Sequence, residues 1–209
     1  MFVKIYDNSH KADIFIPAVE GEKPMKLNDV HLHPKSYLAP NCTLIGSIFV
    51  DKNASIFPGV TIRADRERVV IGKNTNVQEN AILHVETDFP CVLGDNVTIG
   101  HGAIIHACTV ENNCIIGMGA IVMDGAVVGE NSVVGAGAVI SKGVKIPPKS
   151  IVMGLPGKVK REVTEAEIAY NQQSADDYFK NAYELCQEGF FMRGGDVPAD
   201  HPTIKICCE

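Results

Sequence analysis

From Leu38 onward an aliphatic residue stands at every sixth position: Leu38, Leu44, Val50, Ile56 and Ile62. The count restarts at Ile71, followed by Val77 and Leu83, and again at Leu93, followed by Ile99 and Ile105. After one step of five it runs Val110, Ile116, Val122, Val128, Val134, Ile140, Ile146, Val152. Small or turn-forming residues follow most of these positions, as in Ile-Gly-Met-Gly-Ala from Ile116 and Val-Gly-Ala-Gly-Ala from Val134. A sustained short period of this kind predicts a β-solenoid. Each hexad gives a short strand and a turn, with the aliphatic residue inward and Gly or Asn at the tight corner.

This pattern resembles the hexapeptide-repeat family, whose fold is a left-handed parallel β-helix of triangular section. The handedness and the three hexads per coil are what the resemblance implies. Stacked by threes, the chain gives three inward columns. The first is Leu44, Ile62, Leu83, Ile105, Val122, Ile140; the second is Val50, Ile71, Leu93, Val110, Val128, Ile146; the third is Leu38, Ile56, Val77, Ile99, Ile116, Val134, Val152. The insertions at 66–70 and 86–91 and the five-residue step then all fall between the first and second columns, where a solenoid tolerates irregularity at one corner.

The expected class is therefore mainly β, a triangular solenoid with a C-terminal α-helix packed along it. Residues 1–34 form a non-repeat segment with short strands at 1–6 and 13–17, and 35–157 the β-helix. Residues 158–190 hold the C-terminal helix and 191–209 a loosely ordered tail. Pro156 and Gly157 end the repeat. Thr164 and Glu167 form a capping box before a helix over about 164–188, whose apolar face is Ile168, Ala175, Tyr178, Phe179, Ala182 and Leu185. His31 and His33 alternate with Val30 and Leu32 as on a strand, and read as structural or surface residues.

The stacked frame also places the chemistry. Arg63, His84, His106 and Met123 each follow a first-column residue, so His84 and His106 are neighbours in adjacent coils, about 4.8 Å apart. Two such imidazoles can share one ion at Zn–N distances of about 2.0–2.1 Å. His101 follows the third column and belongs to another corner. It meets the pair if a second prism packs alongside, and three chains around a three-fold axis close that contact symmetrically. The expectation is a homotrimer with three interface sites, each formed by His84 and His106 of one chain and His101 of the next. Three neutral imidazoles with an open position make a catalytic zinc site, which lowers the pKa of bound water to about 7.

Arg63-x-Asp65, Asn76-Val77-Gln78-Glu79, His84 and Gly100-His101-x4-His106 together resemble the γ-class carbonic anhydrases and their close relatives, over about residues 36–162. The resemblance implies a lyase-type activity in which metal-bound hydroxide attacks CO2 to give bicarbonate. It implies His84, His101 and His106 as ligands of zinc, or of iron or cobalt, and Gln78 as the group orienting the hydroxide. Asn76 would position substrate. Arg63 and Asp65 would form an ion pair across the subunit interface, and Glu79 an outer-shell acid near Asp65. The best-characterised branch carries a glutamate after Arg-x-Asp and a long acidic loop after the first histidine. Here Arg66-Glu67 and Val-Glu-Thr-Asp-Phe-Pro stand in those places, with Glu86 and Asp88 as candidate proton carriers. The alternative is acyl-CoA thioesterase or acyltransferase chemistry on the same scaffold, with Lys142, Lys145, Lys149, Lys158, Lys160 and Arg161 as cations for the phosphates. A trimeric scaffold without enzymatic activity is a third reading.

Composition changes this picture little. A net charge of −6 argues against nucleic acid as partner. No apolar run of membrane-spanning length and no secretory h-region are visible, so a cytoplasmic protein is expected. Cys42, Cys91, Cys108, Cys114 and Cys186 are scattered and apolar-flanked, as buried thiols in a reducing compartment would be. Cys207 and Cys208 fall in the tail.

Overall fold

The computed structural model describes residues 27–204 and the short strands Phe2–Val3 and Ile16–Pro17, which pair antiparallel. The rest of the two strands expected at 1–6 and 13–17, and Cys207-Cys208, lie outside the described residues. From Leu38 to Val152 the chain coils into a three-faced prism of parallel strands, and every inward column sits in the expected register. Leu44, Ile62, Leu83, Ile105, Val122 and Ile140 are successive Cα partners down one face. Val50, Ile71, Leu93, Val110, Val128 and Ile146 follow one another on the second. Leu38, Ile56, Val77, Ile99, Ile116, Val134 and Val152 do so on the third. All of these side chains are 5% exposed or less, so each contributes about 1.5–3 kcal/mol of burial.

The corners explain the Gly and Asn content. Between the second and third columns, Asn53, Asn74, Asn96, Asn113 and Asn131 take φ of 55–61°. Asn tolerates that region because its side chain bonds locally, and here the amides also stack, with Asn74 Nδ2 donating to Asn96 Oδ1 at 2.9 Å. The corner between the first and second columns takes the irregularities. The segment 66–70 does not loop out. It lies within one long strand, Thr61–Ile71, whose ladder to Thr43–Val50 slips so that Gly46 pairs with Ala64 and Ile48 with Val69. The second insertion closes as a tight Glu86–Phe89 bridge.

At the N-terminal end of the prism a further segment pairs with the first coil on each face. Asn28–Leu32 pairs in parallel with Thr43–Val50 on the second face, so the ladder starts ahead of the first hexad. Met192–Arg193 pairs antiparallel with Tyr37–Leu38 on the third face. Ile204 bridges Leu44 on the first, with Thr203 Oγ1 donating to the Cys42 carbonyl at 2.7 Å. The expectation of a loose tail therefore fails through residue 204. Phe191, Val197 and Ile204 are buried, because open parallel edges expose backbone groups that the returning chain satisfies. At the other end Ser150–Met153 folds back on Lys158–Glu162.

Helix α1 (Glu165–Gln187) lies on the third face, with both bonds of the expected Thr164–Glu167 capping box present. Its Tyr178, Phe179, Ala182 and Leu185 pack with Tyr37, Ala39, Phe57 and Phe191. Asn171, absent from the expected apolar face, is buried and donates to the Asn113 carbonyl at 3.0 Å. Cys42, Cys91, Cys108 and Cys114 are small inward residues beside the columns, and their thiols are free.

Two outcomes follow. At Gly46 φ is +99° and a Cβ would lie 2.1 Å from the Ala64 carbonyl oxygen, whereas at Gly137 φ is +66° and nothing lies within 4 Å. Gly137→Ala should cost about 1–2 kcal/mol from the left-handed backbone alone. Gly46→Ala should cost clearly more, because the Thr43–Val50 and Thr61–Ile71 ladder must part; denaturant unfolding of both variants checks the order. The Glu167 carboxyl is held at about 2, below its ordinary 4.5, chiefly by the Arg161 hydrogen bond and then by Thr164. A depressed carboxyl stabilises above its unfolded value, and that stability is lost as pH falls from 4.5 toward 2. Wild type should thus exceed Glu167→Gln at neutral pH, with the gap in unfolding free energy closing in acid.

Candidate metal centre

The eight residues singled out in the sequence fall into two groups at opposite ends of the first face. At the corner leading to the second face stand Arg63, Asp65, His84 and His106; at the corner leading from the third stand Asn76, Gln78, Glu79 and His101. Each group is built by the stacking of adjacent coils.

In the first group Arg63, His84 and His106 are direct ladder partners. His84 Nδ1 lies 3.0 Å from His106 Nε2, with ring centroids 4.9 Å apart. The other nitrogen of each ring is claimed by a carboxylate: His84 Nε2 donates to Asp65 Oδ1 at 3.3 Å, and His106 Nδ1 donates to Asp124 Oδ1. Each carboxylate in turn takes a cation on its second oxygen. Arg63 Nη1 donates to Asp65 Oδ2, and Lys142 Nζ stands 3.3 Å from Asp124 Oδ2. Burial raises the Asp65 carboxyl, but the bonds from Arg63 and its own amide outweigh this and leave it below the ordinary value. Asp124 is likewise raised by burial and brought below it by bonds from His106 and Lys142. Burial first, and then the Arg63 charge, push the His84 imidazole down toward its neutral form.

The Arg63–Asp65 pair was expected across an interface. It is made within one chain, because residues two apart on the strand Thr61–Ile71 project on the same side. Asp124 escaped the sequence reading. Its signal was the same stacking read one residue past Met123, in the coil after His106.

In the second group His101 Nδ1 bonds Glu79 Oε2 at 2.6 Å, which leaves Nε2 without a carboxylate. Gln78 Nε2 donates to Asn76 Oδ1 at 3.1 Å, and Asn76 Nδ2 to Thr98 Oγ1 at 2.9 Å, itself 3.3 Å from Ser174 Oγ on α1. Both amides are buried, so their orientation is fixed by this chain of bonds. Asp65 and Glu79, expected to support one another, serve different histidines.

A divalent ion fits this donor set. Ionised carboxylates only accept, so Asp65 and Asp124 require the N–H of both rings. With neutral imidazoles, the two nitrogens facing each other at 3.0 Å are then both acceptors, an arrangement that a cation between them stabilises. All three histidines carry the outer carboxylate that metal-ligating imidazoles use to fix their tautomer. Among the described residues, no three His, Cys, Asp or Glu side chains of one chain gather where they could hold a metal. His101 does not join the pair within a chain, as the stacking implied.

Of the two candidate proton carriers, Glu86 is engaged: Arg66 Nη1 donates to Glu86 Oε1 at 2.7 Å, and the Thr87 amide to the same oxygen at 2.8 Å; Asp88 is exposed.

Comparison with known proteins agrees with this architecture. The family model for the bacterial transferase hexapeptide (six repeats) matches residues 107–142. The chain is 36% identical over 167 residues to a carbonic anhydrase of Geobacillus kaustophilus, covering 79% of this chain and 92% of that protein. It is 38% identical over 152 residues to the mitochondrial gamma carbonic anhydrase 2 of Arabidopsis thaliana, covering 70% of this chain; the match spans 55% of the length of that relative. A crystal structure of a hexapeptide transferase family protein from Anaplasma phagocytophilum superposes with a TM-score of 0.71 at 38% identity, covering 74% of this chain and 91% of that one. The prism is thus a left-handed parallel β-helix. No helix among the described residues is long and apolar enough to cross a membrane.

Proposed function

Since the chain belongs to the γ-class carbonic anhydrase-like family of hexapeptide-repeat proteins, we propose that it is a metal-dependent enzyme interconverting CO2 and bicarbonate, with its sites between the chains of a homotrimer. One observation carries the reading: His84, His106 and His101 each bond one ring nitrogen to their own carboxylate, so that the other is left for a ligand.

Bound by these three nitrogens, an ion such as zinc, iron or cobalt would supply hydroxide near neutral pH. The chain's own groups do the rest. Asp65, Asp124 and Glu79 hold the rings in one tautomer. Asn76 takes the Gln78 amide N–H and leaves the Gln78 carbonyl as an acceptor that can orient the attacking oxygen. Hydration turns CO2 and water into bicarbonate and a proton. Glu86 is occupied by Arg66 and Thr87, which leaves the exposed Asp88 to pass the proton on to solvent and buffer.

The trimer is supported by the division of the site into two half-sites, each lacking what the other has. The surface between them supports it too. Thr61, Ile82, Ile104, Ile121 and Val139 are outward ladder partners down the first face, with Ile82 43% exposed, and Met118 beside them is 59% exposed. A continuous apolar strip of this kind suits contact with a second prism. Free thiols among the described residues accord with the cytoplasm.

Acyl-CoA hydrolysis or transfer is the second reading, favoured by the transferase repeat match. Its cation cluster is largely engaged: Lys142 by Asp124, Lys149 by Glu165, Arg161 by Glu167, and Lys145 by the Gly125 carbonyl. Lys158 and Lys160 are exposed at the end of the prism.

Metal-loaded protein should hydrate CO2 at a rate that climbs with buffer concentration and drops to the uncatalysed rate after chelation or in His106→Ala. Metal retention with no hydration, but with thioester cleavage, would select the second reading. His101→Ala and His106→Ala should each lose metal, yet trimers refolded from an equal mixture should recover about a quarter of the sites, those that combine intact half-sites from two chains. Metal analysis of separate and mixed samples checks this, and no recovery on mixing would refute the shared site.

A further inference from the structure

Asp124 and Lys142 have no part in the motif that carries the family likeness, yet they stand directly behind one of its histidines. Asp124 lies in the coil after His106, and Lys142 in the coil after Asp124. Asp124 is a shielded carboxylate, its side chain 17% exposed, with one oxygen on His106 Nδ1 and the other 3.3 Å from Lys142 Nζ. Lys142 is 65% exposed, so the ion pair adds little stability in itself. It occupies Oδ2 and leaves Oδ1 to the ring, a division that matters once the two ends of the side chain differ.

We propose that Asp124 is a positioning residue that keeps the His106 proton on Nδ1, with Lys142 on its second oxygen, so that Nε2 faces His84 as a bare acceptor for a divalent cation. This rests on the metal-centre reading above. The arrangement mirrors Arg63–Asp65–His84 on the neighbouring coil, where the proton is kept on Nε2 and Nδ1 faces inward. The two cation–carboxylate pairs thus approach the histidines from opposite ends of the stack and aim both lone pairs at one point. A histidine flanked only by water would divide its proton between the two nitrogens and give up part of its affinity.

The consequence is a predicted failure of the isosteric variant. In Asp124→Asn, Lys142 can donate only to the amide oxygen, so the amide NH2 meets His106 Nδ1. That nitrogen must then accept, the proton moves to Nε2, and the ligand lone pair is lost. Removing the ammonium frees the amide to turn its oxygen back to the ring. Lys142→Met should therefore rescue Asp124→Asn, although it deletes a second native group.

Long-range proton–nitrogen NMR of metal-free protein, at a pH above the ordinary imidazole pKa of about 6.5, reads the tautomer directly. Wild type and Lys142→Met should show Nδ1–H at His106, Asp124→Asn should show Nε2–H, and Asp124→Asn/Lys142→Met should return to Nδ1–H. Titration with Zn2+ or Co2+ against a chromophoric chelator should give an affinity about 10–100-fold weaker for Asp124→Asn, largely regained in the double variant. An Asp124→Asn protein that keeps Nδ1–H and wild-type affinity overturns the proposal, as does a double variant no better than Asp124→Asn. If wild type binds neither metal, the metal-centre reading fails, while the tautomer series still decides the positioning role.

Discussion

The in-register stacking of parallel coils is the constraint on which everything else depends. Backbone bonds hold each rung about 4.8 Å from the next, so an outward side chain has only two kinds of neighbour: the residue above or below, and the residue two along its strand. The candidate centre is assembled from these contacts and from one turn, which brings in Asp124. Arg63 and Asp65 meet along a strand; Asp65, His84, His106 and Asp124 meet between rungs. The resulting order is acid, base, base, acid, with a cation at each outer end. No loop closure is needed to organise it, and the core columns that fix the rungs also fix the distance between the rings.

Such a stack is electrostatically incomplete. The carboxylates, held ionised with the help of Arg63 and Lys142, accept hydrogen bonds from the ring N–H groups, and the inner nitrogens are left facing each other at 3.0 Å. The second group is incomplete in a complementary way, with one histidine turned by Glu79 and two amides locked beneath α1. The helix reaches the two amides by way of Ser174 and Thr98.

Much of this was legible in the chain because hexads convert sequence separation into height. The pairing of His84 with His106, the isolation of His101 and the gathering of all irregularities at one corner followed from counting, once the resemblance had supplied three hexads per coil. What counting missed has physical causes. Asp124 lies past a methionine, in a coil whose ladder position opposite His106 carries no polar group, so its approach depends on a turn rather than a strand. The packed tail was hidden because Met192 and Ile204 have no periodic company; they are held by the unpaired edges of Tyr37–Leu38 and Leu44, which exist only once the prism has formed. The intrachain Arg63–Asp65 bond was overlooked because a resemblance suggested an interface where simple alternation along a strand sufficed.

The corner beside Asp65 and His84 is also the one place where the coil length changes. Residues 65–68 oppose a single residue, Ser47, and 86–89 close a tight bridge, while the columns on either side keep their register. Arg66 from the first irregularity bonds Glu86 in the second, tying two segments of different coils across the mouth of the half-site. A solenoid has no hinge to open and no domain to move, and its inward columns cannot change without loss of a packed rung. Variation in what reaches the centre must therefore come from these two segments. Here they present a guanidinium–carboxylate pair, Arg66 with Glu86, beside the exposed Asp88. The rigid stack behind the rim fixes which nitrogen lone pairs face each other, whatever these two segments carry.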